Sequence, residues 1–285
     1  MTTIDRWLLI AGAGLILSGC GSPGPGTGMA GDCSLAANTS PTGSPNAAGC
    51  SVLQRDTSAC AATRQTAGLS GFWLQFSCRV SLSLAAGQIQ AQADGQPDYK
   101  SMYFPPQNAC YQKEASGLHN PNAIAPQSYS ISFPQVPNLN AQRMMGAIVG
   151  LALNGVPIFG NFAAPGDDIY QEAMTFDACG AHPQMNGIYH YHSEPYAISN
   201  DDNHFIGVMR DGYPIYGRRD RDGSLPTLDS NGGHGSVTAD SPSTAVYHYH
   251  VNQQTSMTGA TAGQKQWFLT TGTYRGTPGT CLGCM

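Results

Sequence analysis

Tyr189-His190-Tyr191-His192 returns as Tyr247-His248-Tyr249-His250, so four of the eight histidines fall in two short segments. In an extended chain side chains alternate between faces, which puts both histidines of a copy on one side and both tyrosines on the other. Each copy therefore reads as a strand that presents two imidazoles together. The echo continues upstream, where Gly155-Val156-Pro157-Ile158-Phe159-Gly160 reappears as Gly212-Tyr213-Pro214-Ile215-Tyr216-Gly217. Asp177 precedes His182 by the same interval at which Asp229 precedes His234. A unit thus reads Gly-x-Pro-Ile-aromatic-Gly, Asp-x4-His, Tyr-His-Tyr-His, with copies at about residues 150–196 and 207–252 and a period of about 57 residues. Two copies imply a duplicated module with pseudo-symmetry, not an open solenoid.

Outside the motifs, the chain is made of short β-prone segments cut by Gly, Pro, Asn and Asp. Strands are expected over Gln88–Ala93, 127–133, 145–153, Phe205–Met209 and 266–271, with turns at Asn154-Gly155 and Asp211-Gly212. No segment keeps a helical period over three turns, although a short helix over Ser58–Thr66 stays open, and residues 71–80 suggest a buried strand. The fold class is mainly β: one large sandwich-like domain over residues 87–285, with long irregular loops around the internal duplication. A small cysteine-bearing segment, 49–86, precedes it.

The N-terminus points to export. Arg6 leads into an apolar run at residues 7–17, too short for a stable membrane span and suited to a secretory signal over 1–19. Leu17-Ser18-Gly19-Cys20 resembles the lipobox of bacterial lipoproteins, which implies that Cys20 is lipidated and becomes the first mature residue. Each buried methylene contributes about 0.8 kcal/mol, so several acyl chains hold a protein on a membrane without a spanning helix. Gly21 after the anchor implies, by the same resemblance, the outer membrane, with the protein facing periplasm or surface. Residues 20–48, rich in Gly, Ser and Pro, read as a flexible tether.

Composition fits the cell envelope. Charged residues make up 11% of the chain, net charge is -5, and there is no Lys/Arg run, so a nucleic-acid partner is disfavoured. Nine cysteines less the lipidated one leave an even number and up to four disulfides, with pairing open. Cys281 and Cys284 are expected to be a structural disulfide in preference to a redox or zinc pair, since only Met285 follows them.

Asn120-Pro121-Asn122, both Gly-x-Pro-Ile-aromatic-Gly segments, residues 177–183, both Tyr-His-Tyr-His tetrapeptides and Tyr274-Arg275-Gly276-Thr277-Pro278 together resemble the YHYH-domain family of exported proteins. The resemblance runs over residues 88–278 and implies domain identity, with no activity attached. It departs from the family's pattern after Gly95-Gln96-Pro97-Asp98, where Tyr99 stands in place of a frequent histidine.

A His-x-His pair on a strand can seat zinc or copper, because two rings converge from one segment and a third ligand arrives from a loop. The candidate ligands are His182, His190 and His192 in one copy and His234, His248 and His250 in the other. Asp177 and Asp229 would complete these sites or fix the tautomer of a ligating ring. A second geometry joins His190, His192, His248 and His250 across the pseudo-axis in one cluster. Copper or zinc is the implied cofactor; an open coordination position would allow redox or hydrolytic chemistry, so whether the protein is an enzyme stays open. The competing reading is a non-catalytic module with a structural Tyr/His network, whose tyrosine face binds a glycan or protein. Inward tyrosines and converging imidazoles favour metal; tyrosines lining an open groove favour that second reading. Asp220-Arg221-Asp222-Gly223 reads as a plain turn, and His119 and His204 read as loop residues.

Overall fold

The computed structural model of the protein describes residues 39–114, 118–139 and 143–284. The segment expected to be a signal peptide, Cys20 and Cys33 lie outside them. Strand β1 (Thr39–Thr42) pairs antiparallel with β2 (Val52–Arg55), and the Asn46 side chain donates to the Ala178 carbonyl. The last part of the stretch expected to be tether is therefore attached to the folded domain. Helix α1 (Ser58–Thr66) forms where it was left open. Residues 71–80 are not a strand: Gly71–Gln75 is a 3-10 turn, which sends Trp73 and Phe76 into the core, where they stack at 5.6 Å.

Strands β3 (Ser81–Ala85), β4 (Gln88–Ala93) and β5 (Tyr129–Pro134) form an antiparallel sheet, closed at its edge by Cys281–Leu282. A two-residue strand β6 (Arg143–Met144) pairs with Thr273–Tyr274. The main sheet then takes β7 (Ile148–Ala152), β8 (Pro157–Phe159), β9 (Ala181–Gln184), β10 (Ile188–Tyr191), β11 (Phe205–Met209), β12 (Pro214–Tyr216), β13 (Gly233–Ser236) and β14 (Val246–His250). Its order is β13-β14-β12-β11-β7-β8-β10-β9. Both sheets share one continuous apolar core, in which Trp73 touches Phe133 and Phe76 touches Phe205. Among the described residues no helix is long and apolar enough to cross a membrane.

That order is a palindrome. At its centre Leu151 pairs with Val208, which are equivalent positions of the two copies, while Gly150 pairs with Met209 and Ala152 with Gly207 as mirror pairs. The internal dyad therefore passes between Leu151 and Val208, perpendicular to the sheet. The two strands meet closely there: a Cβ on Gly150 would lie 2.7 Å from the Val208 carbonyl, and one on Gly207 2.2 Å from that of Leu151. Glycine at both positions lets the halves join.

Three disulfides connect described residues: Cys50–Cys179, Cys60–Cys78 and Cys281–Cys284, the last as expected. The first spans 129 residues and ties the N-terminal segment to the loop before β9. Closing so long a loop removes much of the unfolded chain's freedom. Replacing Cys50 and Cys179 together by serine is expected to lower stability by about 2–4 kcal/mol. The shift in a urea unfolding midpoint measures this.

Candidate metal centres

The histidines take their places through register. His190 of β10 lies opposite His182 of β9, and His248 of β14 opposite His234 of β13. In the first set His182 Nε2 is 3.1 Å from His190 Nε2, which is 2.9 Å from His192 Nε2. In the second, His234 Nε2 is 3.3 Å from His250 Nε2. Each set brings its ligand atoms within 4.8 Å of one another, so both can hold a metal ion.

Backbone carbonyls fix the tautomers. His190 Nδ1–H donates to the Ile188 carbonyl, and His248 Nδ1–H makes the equivalent bond to Val246. His192 and His250 donate from Nδ1 to the carbonyls of Gly160 and Gly217, the closing glycines of the two Gly-x-Pro-Ile-aromatic-Gly segments. Thr175 donates its hydroxyl to the Glu172 carbonyl, so its oxygen accepts the Nδ1–H of His182. The rings so held are neutral with the proton on Nδ1, which leaves a bare lone pair on each Nε2. Lone pairs about 3 Å apart repel unless a cation lies between them. A proton is a poor substitute here. Burial pushes His182 down to about 3, helped by the His192 charge, and His192 down to about 4; it also holds His190 well below the ordinary imidazole value and takes His250 to about 4.

The motif's aromatic residue walls each site. Phe159 stacks on His190 with centroids 3.9 Å apart, and Tyr216 meets His248 edge-on at 5.3 Å. Following the pairs Phe159/Pro157, Leu151/Val208 and Pro214/Tyr216 keeps both sets on one face of the sheet. Between β10 and β14 lie five strand steps, roughly 24 Å at the usual spacing. The joint four-histidine cluster is thereby ruled out: the dyad separates the two pairs instead of bringing them together.

Asp177 and Asp229 belong to neither converging set, and their bonds go elsewhere. Asp177 accepts from the backbone N–H of Cys179 and Ala181, and from the hydroxyls of Ser101 and Tyr189. Asp229 accepts from Asn231 N–H, Gly233 N–H and the Tyr247 hydroxyl. Each carboxylate holds the turn that delivers His182 or His234 and pins the first tyrosine of the tetrapeptide on the opposite face. Asp-x4-His is a positioning device.

The acid that reaches the second set is Asp220, from the turn expected to be plain. Its Oδ1 lies 3.2 Å from His234 Nε2 and 3.6 Å from both His248 Nε2 and His250 Nε2. At the first set Glu172, at the end of the short helix α2 (Ile169–Glu172), stands farther off, 4.0 Å from His182 Nε2 and 3.9 Å from His192 Nε2. Both acids come from the stretch between the shared glycine and the shared aspartate, where the copies differ in length and residues, so no repeat signal marks them.

The tyrosines turn inward. Tyr189, Tyr191 and Tyr249 are fully buried, and Tyr99 bonds to the hydroxyls of both Tyr189 and Tyr191, away from the imidazoles. Tyr247 is half-buried and, with Trp73 and Tyr213, lines a groove of about 550 Å³. His204 is mostly exposed and pairs with Asp202; His119 is exposed. Neither joins a cluster.

Residues 128–227 match the family model described as YHYH protein. The chain carries a YHYH domain. The matched span holds the first histidine set and ends before His234, so it is narrower than the resemblance over 88–278. No curated protein and no solved structure matches the chain. The internal dyad makes the second set, which follows the matched span, a structural counterpart of the first.

Proposed function

We propose that this is an exported lipoprotein, anchored to the outer membrane through Cys20, whose YHYH domain binds copper or zinc at two separate sites in metal handling. The observation that carries the reading is the convergence of Nε2 atoms, with Nδ1 of His182, His190, His192, His248 and His250 each held by a carbonyl or hydroxyl. An ion with bonds of about 2.0–2.1 Å in a tetrahedral site sets its nitrogens about 3.3 Å apart, close to the spacings of 2.9–3.3 Å found here. Three imidazoles suit both metals. The inward packing of Tyr189, Tyr191 and Tyr249 supports it over a tyrosine-lined ligand groove.

Elemental analysis of the mature protein, purified without a histidine tag and dialysed against copper or zinc, is expected to give two ions per chain. Absence of stoichiometric metal, with no affinity for either added ion, overturns the proposal. Fractionation of cells with and without Cys20→Ala tests the anchor: the variant is expected in the soluble fraction.

A further inference from the structure

The two sets are equivalent by the dyad but differ in what surrounds them. At the second, one carboxylate oxygen of Asp220 stands within 3.6 Å of all three nitrogens, which makes a complete set of four donors. A cavity of about 10 Å³ adjoins it, with Asp220, His248, His250 and Tyr216 among its walls, which is room for about one small ion or water. At the first set the convergence holds three donors, His182, His190 and His192. Glu172 lies at 3.9 and 4.0 Å from two of them, farther than the 3.2–3.6 Å that Asp220 keeps from all three nitrogens of the second set.

The three histidines of the first set are buried, and a cleft passes beside them. Glu172, and Thr175 that orients His182, line a cleft of about 780 Å³ whose other walls include Asn161, Phe162, Tyr170 and Ser256. Asp167 lies in the same wall, so the mouth carries negative charge and disfavours anions. Closed four-ligand sites are structural, and three-ligand sites with an open position are where exogenous ligands bind.

We propose that the two sites divide their roles: His234, His248, His250 and Asp220 hold a structural ion, whereas His182, His190 and His192 hold an ion whose fourth position is open to the Glu172 cleft. That position takes a small neutral donor, water at rest and the oxygen or nitrogen of an uncharged polar molecule in use. Glu172 then serves as a positioning residue beside the incoming ligand.

This inference rests on the metal-binding reading, and one experiment separates their failures. The mature protein is loaded with cobalt(II), its metal content measured, and its visible d–d spectrum followed during titration with imidazole as the neutral probe. With two cobalt ions bound, a saturable change is expected from one of them. It should persist in His248→Ala/His250→Ala and vanish in His190→Ala/His192→Ala, and Glu172→Gln should retain both the metal and the response. No response from a protein that holds both ions, or a response that follows the second set, overturns the division of roles. So does a response that appears only in Glu172→Ala, since Glu172 would then be the fourth ligand. Failure to retain cobalt, copper or zinc at all overturns the metal reading itself.

Discussion

Replacing His248 and His250 together by alanine is expected to leave the protein with one bound ion in place of two. Replacing His190 and His192 removes the other. The expectation follows from the position of the dyad: it runs between Leu151 and Val208, so the two pairs sit on strands five steps apart in the sheet and share no ligand. A cluster built from both pairs would lose all its metal in either variant. The affinity lost at the altered site should exceed about 100-fold, because removing even an outer partner of a ligating histidine costs 10–100-fold and here two ligands go. The untouched site should keep its affinity, since sites this far apart without shared partners behave nearly independently. Competition with a chromogenic chelator measures both sites. Equal loss at both would contradict the separation.

The same geometry shows what was legible in the sequence. The strand reading of Tyr-His-Tyr-His holds because alternation on a fully buried strand leaves no other way to keep His190 and His192 together. The third candidate ligands, His182 and His234, lie where antiparallel pairing returns the chain directly opposite His190 and His248. The role of these carboxylates is not legible in sequence, because a duplicated acid upstream of a duplicated histidine looks the same whether it binds metal or holds a turn. Only the turn geometry shows that Asp177 and Asp229 spend their lone pairs on backbone N–H groups and tyrosine hydroxyls. Asp220 and Glu172 carry no repeat signal, and their place at the rings depends on how two unlike loops fold. In residues 71–80 apolar density was mistaken for a strand; Trp73 and Phe76 reach the core from a single tight turn instead.

Asp98→Ala is expected to be among the most destabilising single changes, by about 3–5 kcal/mol, because it strands a buried arginine. Arg55 donates to Asp98 through Nε and Nη2, the second bond at 2.9 Å, and also to the carbonyls of Leu53 and Ala197. The two side chains are 6% and 1% exposed, so neither charge has water to fall back on. Asp98 also accepts from Asn154, which in turn donates to Tyr191 of the tetrapeptide. The pair thereby links β2 to the tyrosine face of the main sheet. Burial pushes the Asp98 carboxyl up, but the Arg55 charge, its hydrogen bonds and that of Asn154 override this and hold it below the ordinary range. A depressed carboxyl pKa gives stability that is fully present above the unfolded value of about 3.9 and is lost as pH falls through the folded value. Wild-type stability should therefore fall in acid below about pH 4 with a contribution from this group. Asp98→Asn keeps an acceptor for Arg55 without the charge, so it should lie between wild type and alanine and lose that part of the acid slope. Urea midpoints at pH 7 and pH 3 for the three proteins test it. If Asp98→Ala shifted neither the midpoint nor the pH dependence, the Arg55 pair would carry no weight in joining the N-terminal segment to the domain.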